Sequence, residues 1–227
     1  MAGFSLQRSQ FSVSLRQTLR STKARERRYR KICQLVGLRP LDQVLDVGCG
    51  PGLSFECFNR ENEIVGLDLD PVQHIFQDNF QFVRGDASFM GFFEDGQFDL
   101  VVCIGVLPRV TPYAKLKRAA GEIARVGKAF AVVVPHTLTL VDPYSHLPFG
   151  QFTPQNFRAF SRRWSFPDQE DNPPSVEQKE PPFYLRTRDW KALFPGSMIT
   201  SYSYMGLGLV RNFIIYKKRT DGRGREA

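Results

Sequence analysis

The sequence predicts an α/β fold: a doubly wound, mostly parallel sheet with helices on both faces. Three observations predict it. Short apolar runs suited to buried strands alternate with stretches of helical spacing. The first run, Val44-Leu45-Asp46-Val47, leads into a glycine-rich turn at Gly48, Gly50 and Gly52, followed by a stretch able to open a helix, Leu53–Glu61. The run Lys128–Pro135 is nearly continuous in apolar residues, as a strand covered on both faces requires.

Taken in order, residues 1–22 form no periodic element and read as a flexible basic arm. Residues 24–36 read as a helix, with Tyr29, Ile32, Cys33 and Val36 on one stripe and Gly37 and Pro40 ending it. Strand one and the glycine loop follow. Ile64–Asp68 is the second strand, and Asp70-Pro71 caps a short helix, because Phe80 already starts strand three. Phe98–Ile104 is strand four. A helix begins at Thr111-Pro112 and runs to Val126 on Leu116, Ala119, Ala120 and Ile123, with Gly127 as its stop. Strand five ends at Pro135. Residues 135–183 then hold nine of the fifteen prolines, with one helix expected at Pro154–Trp164 and an acidic loop at Asp168–Glu180. A block of that length is more than a connection, so residues 136–183 are read as a cap over a ligand. Thr187–Leu193 is a helix, Ile199–Tyr204 and Asn212–Lys217 are strands, and the charged residues 218–227 form a disordered tail. The domain proper is therefore residues 23–217.

The glycine loop carries the chemistry. Its spacing is G-x-G-x-G, not the G-x-G-x-x-G of dinucleotide sites, and Asp46 stands two residues before the first glycine. A carboxylate there repels a pyrophosphate and suits a ligand with a cationic end, such as S-adenosylmethionine. An acid, Asp68, closes the second strand 20 positions after Gly48, where it can accept both hydroxyls of a ribose. Phe82-Val83-Arg84-Gly85-Asp86-Ala87 and Phe98–Ile104 follow in order. In these four stretches the chain resembles the class I S-adenosylmethionine-dependent methyltransferases, within them the small-molecule, methyltransferase type 11-like group, over roughly residues 24–135. The resemblance implies a Rossmann-like, seven-stranded sheet with an antiparallel last strand. It implies a cofactor site built from Asp46, Gly48, Cys49, Gly50 and Gly52, from Asp68 and Leu69, from Asp86 and Ala87 beside adenine, and from Cys103 and Ile104. The run Phe89–Phe93 lies where the family often has a loop near adenine, so the resemblance allows its aromatics to cover the base. The plainer alternatives are that Asp68 caps the next helix, that Asp86 sits in a turn, and that the aromatics are core.

Composition bounds the rest. The chain has 227 residues and 42% hydrophobic content, and no apolar run approaches the 18 residues of a membrane span. Its four cysteines show no C-x-x-C pairing, and its three histidines lie in separate segments, so neither structural zinc nor a metal cluster is expected. The net charge of +8 is uneven: residues 16–31 carry +7 and residues 211–227 carry +4, leaving −3 for the remainder. The catalytic part is thus not generally basic, which weakens a reading of the whole chain as a nucleic-acid binder. The acid-free N-terminal stretch also resembles a mitochondrial transit segment; a cytoplasmic protein with a basic arm is the favoured reading.

Three functions are compatible with these residues. The leading one is methyl transfer to an oxygen or nitrogen of a small molecule. The second is an RNA-directed methyltransferase using the basic N-terminal helix on phosphates. The third is a non-catalytic protein that binds S-adenosylmethionine. Base-amino enzymes of the family carry Pro-Pro-aromatic at the end of strand four; Cys103-Ile104-Gly105-Val106-Leu107-Pro108 does not match. A general base, where one is used, is expected from the cap: His136 just beyond strand five, or His146, with Tyr144 and Asp142 in reserve.

Overall fold

In the computed structural model, described for residues 23–50, 56–58, 61–70, 78–140, 183–203 and 211–219, the chain builds one seven-stranded sheet. The strands are β1 (Gln43–Val47), β2 (Glu63–Asp68), β3 (Phe80–Arg84), β4 (Phe98–Ile104), β5 (Gly127–Pro135), β6 (Met198–Ser203) and β7 (Arg211–Lys217). Their spatial order is β3-β2-β1-β4-β5-β7-β6. β1 to β5 are mutually parallel, β7 runs antiparallel to β5, and β6 antiparallel to β7. The Rossmann-like expectation holds, antiparallel last strand included.

The period of two along each strand sorts residues to the two faces. Leu45, Val47, Val101, Cys103, Phe130, Val132 and Val134 pack on one face, under α2 (Tyr113–Val126) and α3 (Thr187–Leu193). Val44, Leu100, Val102, Ala131 and Val133 pack on the other, under α1, which spans residues 23–36. Tyr29, Ile32 and Val36 of the predicted stripe are the α1 residues that bury. Tyr29 meets Phe58, beyond the glycine loop, edge to face at 5.1 Å.

Gly127 ends α2 as expected; its backbone is extended, φ −103° and ψ 129°, so the helix passes straight into β5. Glycine is needed there for space, because a Cβ would stand 2.7 Å from both the Ala129 carbonyl oxygen and Val101 Cγ2. β6 begins one residue earlier than Ile199. The helices expected at Leu53–Glu61, after Asp70-Pro71 and at Pro154–Trp164 lie largely or wholly outside the described residues, as do the arm, most of the cap and the tail beyond residue 219.

Polar ties hold the amino edge of the sheet. Arg125 on α2 donates to the carbonyls of Met90 and Phe93 and to Glu122 and Asp95, which pins the β3–β4 connection onto the helix. At the amino edge Asp99 takes Lys128, Arg219 and the Gln43 amide. Partial burial alone would raise that carboxyl, but Lys128 and the Gln43 amide outweigh it and hold it below the usual range. No described helix is long and apolar enough to cross a membrane.

Ile32 is fully buried between α1 and the sheet. Ile32→Ala is expected to destabilise the domain by about 2–5 kcal/mol in denaturant unfolding. A change near zero would show that α1 is not an integral layer.

Candidate cofactor site

The strand order reverses between β1 and β4, so the carboxyl ends of these two strands open a crevice. Three turns line it, each hooked to the backbone of a neighbouring strand. The Gly48 amide donates to the Leu67 carbonyl at 2.7 Å, Gly85 to Asp68 at 2.9 Å, and Gly105 to Val133 at 2.9 Å. Gly48 and Gly50 have φ of +75° and +53°, which only glycine adopts at low cost. At Gly48 there is a second constraint: a Cβ would lie within 2.1 Å of Val106 Cγ2. The β4 loop therefore packs the Val106 side chain directly on the backbone of Gly48.

Two carboxylates flank this loop. Asp46 is 3% exposed, on the α1 face of β1. Its charge adds to burial in raising the thiols of Cys49 and Cys103, the latter to about 12. Neither thiol is ionised near neutral pH, and Cys103 is fully buried in β4. Asp68, at the tip of β2, accepts the Gly50 amide on Oδ2 at 2.9 Å and the Asp70 amide on Oδ1 at 3.3 Å. A carboxylate has lone pairs beyond these two bonds, so bracing the loop leaves it able to accept more. Leu69 beside it is exposed.

Asp86 sits in a turn and also faces a cation. Its Oδ1 accepts both the amide and the hydroxyl of Ser88 at 2.8 Å, and its Oδ2 meets Lys115 Nζ at 2.6 Å. Burial opposes ionisation, but Lys115 and Ser88 prevail and the carboxyl is held below its usual value. Ala87 and Ile104 are half-buried, while Cys103 is fully buried beneath the surface. Within the run Phe89–Phe93, Met90 and Phe93 enter the core, whereas Phe89 is 71% and Phe92 51% exposed.

His136 follows β5 as expected. Its amide donates to the Arg211 carbonyl, its ring lies 4.2 Å from Phe213, and its Nδ1 accepts the Leu138 amide at 2.9 Å. A neutral ring whose Nδ1 accepts carries its hydrogen on Nε2. Burial first, and Arg211 second, lower its pKa below the ordinary value, so it is neutral at pH 7. Gly52, His146, Tyr144 and Asp142 lie outside the described residues. Two residues of the site escaped the sequence reading. Val106, which closes on Gly48, and Lys115, which faces Asp86, are paired only by the fold, 58 and 29 positions along the chain.

Comparison with known proteins agrees with this architecture. Residues 45–134 match the family described as "Methyltransferase domain". This segment is a class I, S-adenosylmethionine-dependent methyltransferase domain. Its cofactor is S-adenosyl-L-methionine. A 54-residue stretch is 39% identical to a ribosomal RNA large subunit methyltransferase E from Desulfatibacillum aliphaticivorans, covering 22% of this chain and 26% of that relative. The chain thus spans about a quarter of that relative's length. Among solved structures, an S-adenosylmethionine-dependent methyltransferase from Methanosarcina mazei is 19% identical, covers 82% of this chain and 95% of its own, and superposes with a TM-score of 0.52. A methyltransferase in complex with the Haloferax volcanii Trm112 methyltransferase activator is 15% identical over 94% of each chain, with a TM-score of 0.56. These structural likenesses establish the methyltransferase fold.

For the methyltransferase domain, Gly48→Ala puts a methyl group into Val106 at a positive φ. It is expected to abolish measurable S-adenosylmethionine binding in calorimetry and to lower the melting temperature. Retained affinity would show that the two loops do not need to touch.

Proposed function

We propose that this methyltransferase domain transfers the methyl group to an oxygen or nitrogen of a small-molecule acceptor. The observation that carries the acceptor class is the rim over β4 and β5. Among the described residues it is mainly apolar: Tyr113, Leu138 and Leu140 are exposed there, and Tyr113 meets Phe183, whose amide donates to the Pro108 carbonyl. Such a floor suits an organic molecule better than a phosphodiester chain. When bound, S-adenosylmethionine would supply an activated methyl group to a lone pair of the acceptor.

The chain supplies placement. Gly48, Cys49, Gly50 and Gly52 allow close approach, and Asp46 stands at the cationic amino-acid end. Asp68 accepts the ribose hydroxyls while bracing Gly50, and Leu69 covers the sugar edge. Asp86 and Ala87, with the exposed Phe89 and Phe92, border adenine, and Cys103 and Ile104 form the floor. The fit rests on the half-buried Asp68 carboxylate with acceptor capacity to spare, beside the bare backbone of Gly48 and Gly50. Asp68→Ala should weaken S-adenosylmethionine binding by about 2–4 kcal/mol, through charge-assisted hydrogen bonds to two hydroxyls. Calorimetry in which NAD binds more tightly than S-adenosylmethionine would contradict the assignment.

His136 and His146 are the proposed acceptor-side residues. With Nδ1 engaged by Leu138, His136 offers Nε2–H, which orients an acceptor oxygen; taking up a proton requires release of that bond. His146 stays a candidate base. Loss of the working histidine should slow transfer by roughly 10²–10⁴-fold at unchanged cofactor affinity. Because the His136 pKa is lowered, its ring is neutral above pH 6.5 and gains a proton only at a lower pH. If His136 is the working residue, an acid limb in kcat/KM therefore falls below 6.5 and vanishes in His136→Gln. Near wild-type turnover in both His136→Ala and His146→Ala would leave alignment as the cap's task.

A further inference from the structure

A second cavity lies away from the cofactor crevice. α1 turns its exposed side chains outward along one stripe: Lys23, Arg27, Arg30, Lys31 and Gln34. Arg27, Arg30, Lys31 and Gln34 line a groove of about 280 Å³, whose opposite wall is Tyr202 and Ser203 of β6. None of the three cations is paired with a carboxylate among the described residues. Glu26, the sole acid of α1, and Glu56 line an adjoining cavity, to which Arg30 is common, so Arg27 and Lys31 are the cations that belong to the groove alone.

The groove shares a rim with the methyltransferase site. Ser203 pairs with Arg211, whose carbonyl accepts the His136 amide, so Tyr202 and Ser203 stand at the carboxyl edge of the sheet. β6 is the edge strand, four places from β1. At about 4.8 Å per strand, the β6 wall of the groove lies roughly 19 Å from β1 along the sheet, beyond the span of a small acceptor.

We propose that this groove docks single-stranded RNA. Arg27 and Lys31 are one helical turn apart, about 6 Å along the axis, which sets successive cations along a backbone of phosphates. Tyr202 gives the facing wall a half-buried aromatic ring on which an unstacked base can lie, and Gln34 and Ser203 offer hydrogen bonds. A membrane surface fits less well. Interfacial helices place large apolar residues beside their cations, and the exposed positions of α1 are Lys, Glu, Arg and Gln, with Gly37 beyond its end. The proposal is separate from the acceptor assignment: RNA can dock here whether or not it is the molecule methylated.

The test is fluorescence anisotropy of a short unstructured oligouridylate with the full chain, across a salt series. The triple variant Arg27→Ala, Arg30→Ala, Lys31→Ala is expected to bind at least about tenfold more weakly, with a log–log salt slope shallower by about 2. Tyr202→Ala should bind about tenfold more weakly at an unchanged slope, and Tyr202→Phe should bind as the wild type does. Calorimetric S-adenosylmethionine affinity, unchanged in the triple variant, reports that the fold is intact. Wild-type RNA affinity in the triple variant would overturn the proposal and place any binding in the arm. Equally tight binding to phosphatidylserine vesicles, lost in the same variant, would also overturn it in favour of a membrane surface.

Discussion

At the tip of β2 the Asp68 carboxylate accepts the Gly50 amide, and this bond joins the two halves of the crevice. β1 delivers a loop in which Cys49, between Gly48 and Gly50, turns its side chain into the core. The Leu67 carbonyl takes its first two amides and Asp68 takes the next, so the loop's shape is set by β2. β2 is itself fixed between β1 and β3 in parallel register. The same carboxylate keeps acceptor capacity facing the crevice. One side chain thus links strand order to the shape of the loop.

From this constraint the neighbouring choices follow. Val106 can close over Gly48 only because Gly48 lacks a Cβ, and this brings the β4 loop to the methyl-transfer side. Asp46 sits under the loop, where its charge disfavours a pyrophosphate and also keeps the adjacent thiols protonated. Lys115 offsets the charge of Asp86 at the outer rim, and Arg125 fixes the connection that carries Phe89 and Phe92.

The sheet was largely legible in the sequence. Its strands are short apolar runs of period two or continuous burial, and β1 to β5 are separated by glycine turns or helical stripes. What the sequence hid was contact between distant positions. Gly127 looks like a helix cap because glycine after an apolar stripe usually is one; its true constraint is the space beside Val101. Asp86 was read as adenine acceptor or turn residue, and its bonds to Ser88 show the turn plainly while Lys115 adds a partner that no local spacing announces. His136 was placed correctly at the end of β5, but which ring nitrogen is engaged depends on the backbone of Leu138. The cationic helix was visible as charge, whereas its facing wall belongs to an edge strand some 170 residues away.

The central claim is that the crevice positions S-adenosylmethionine for transfer to a small acceptor. The direct measurement is incubation of the full chain with methyl-labelled S-adenosylmethionine and cell extract, followed by separation into small-molecule, RNA and protein fractions. The account predicts label in the small-molecule fraction, dependent on Asp68. Cofactor binding with no labelled fraction, or label confined to RNA, would contradict it.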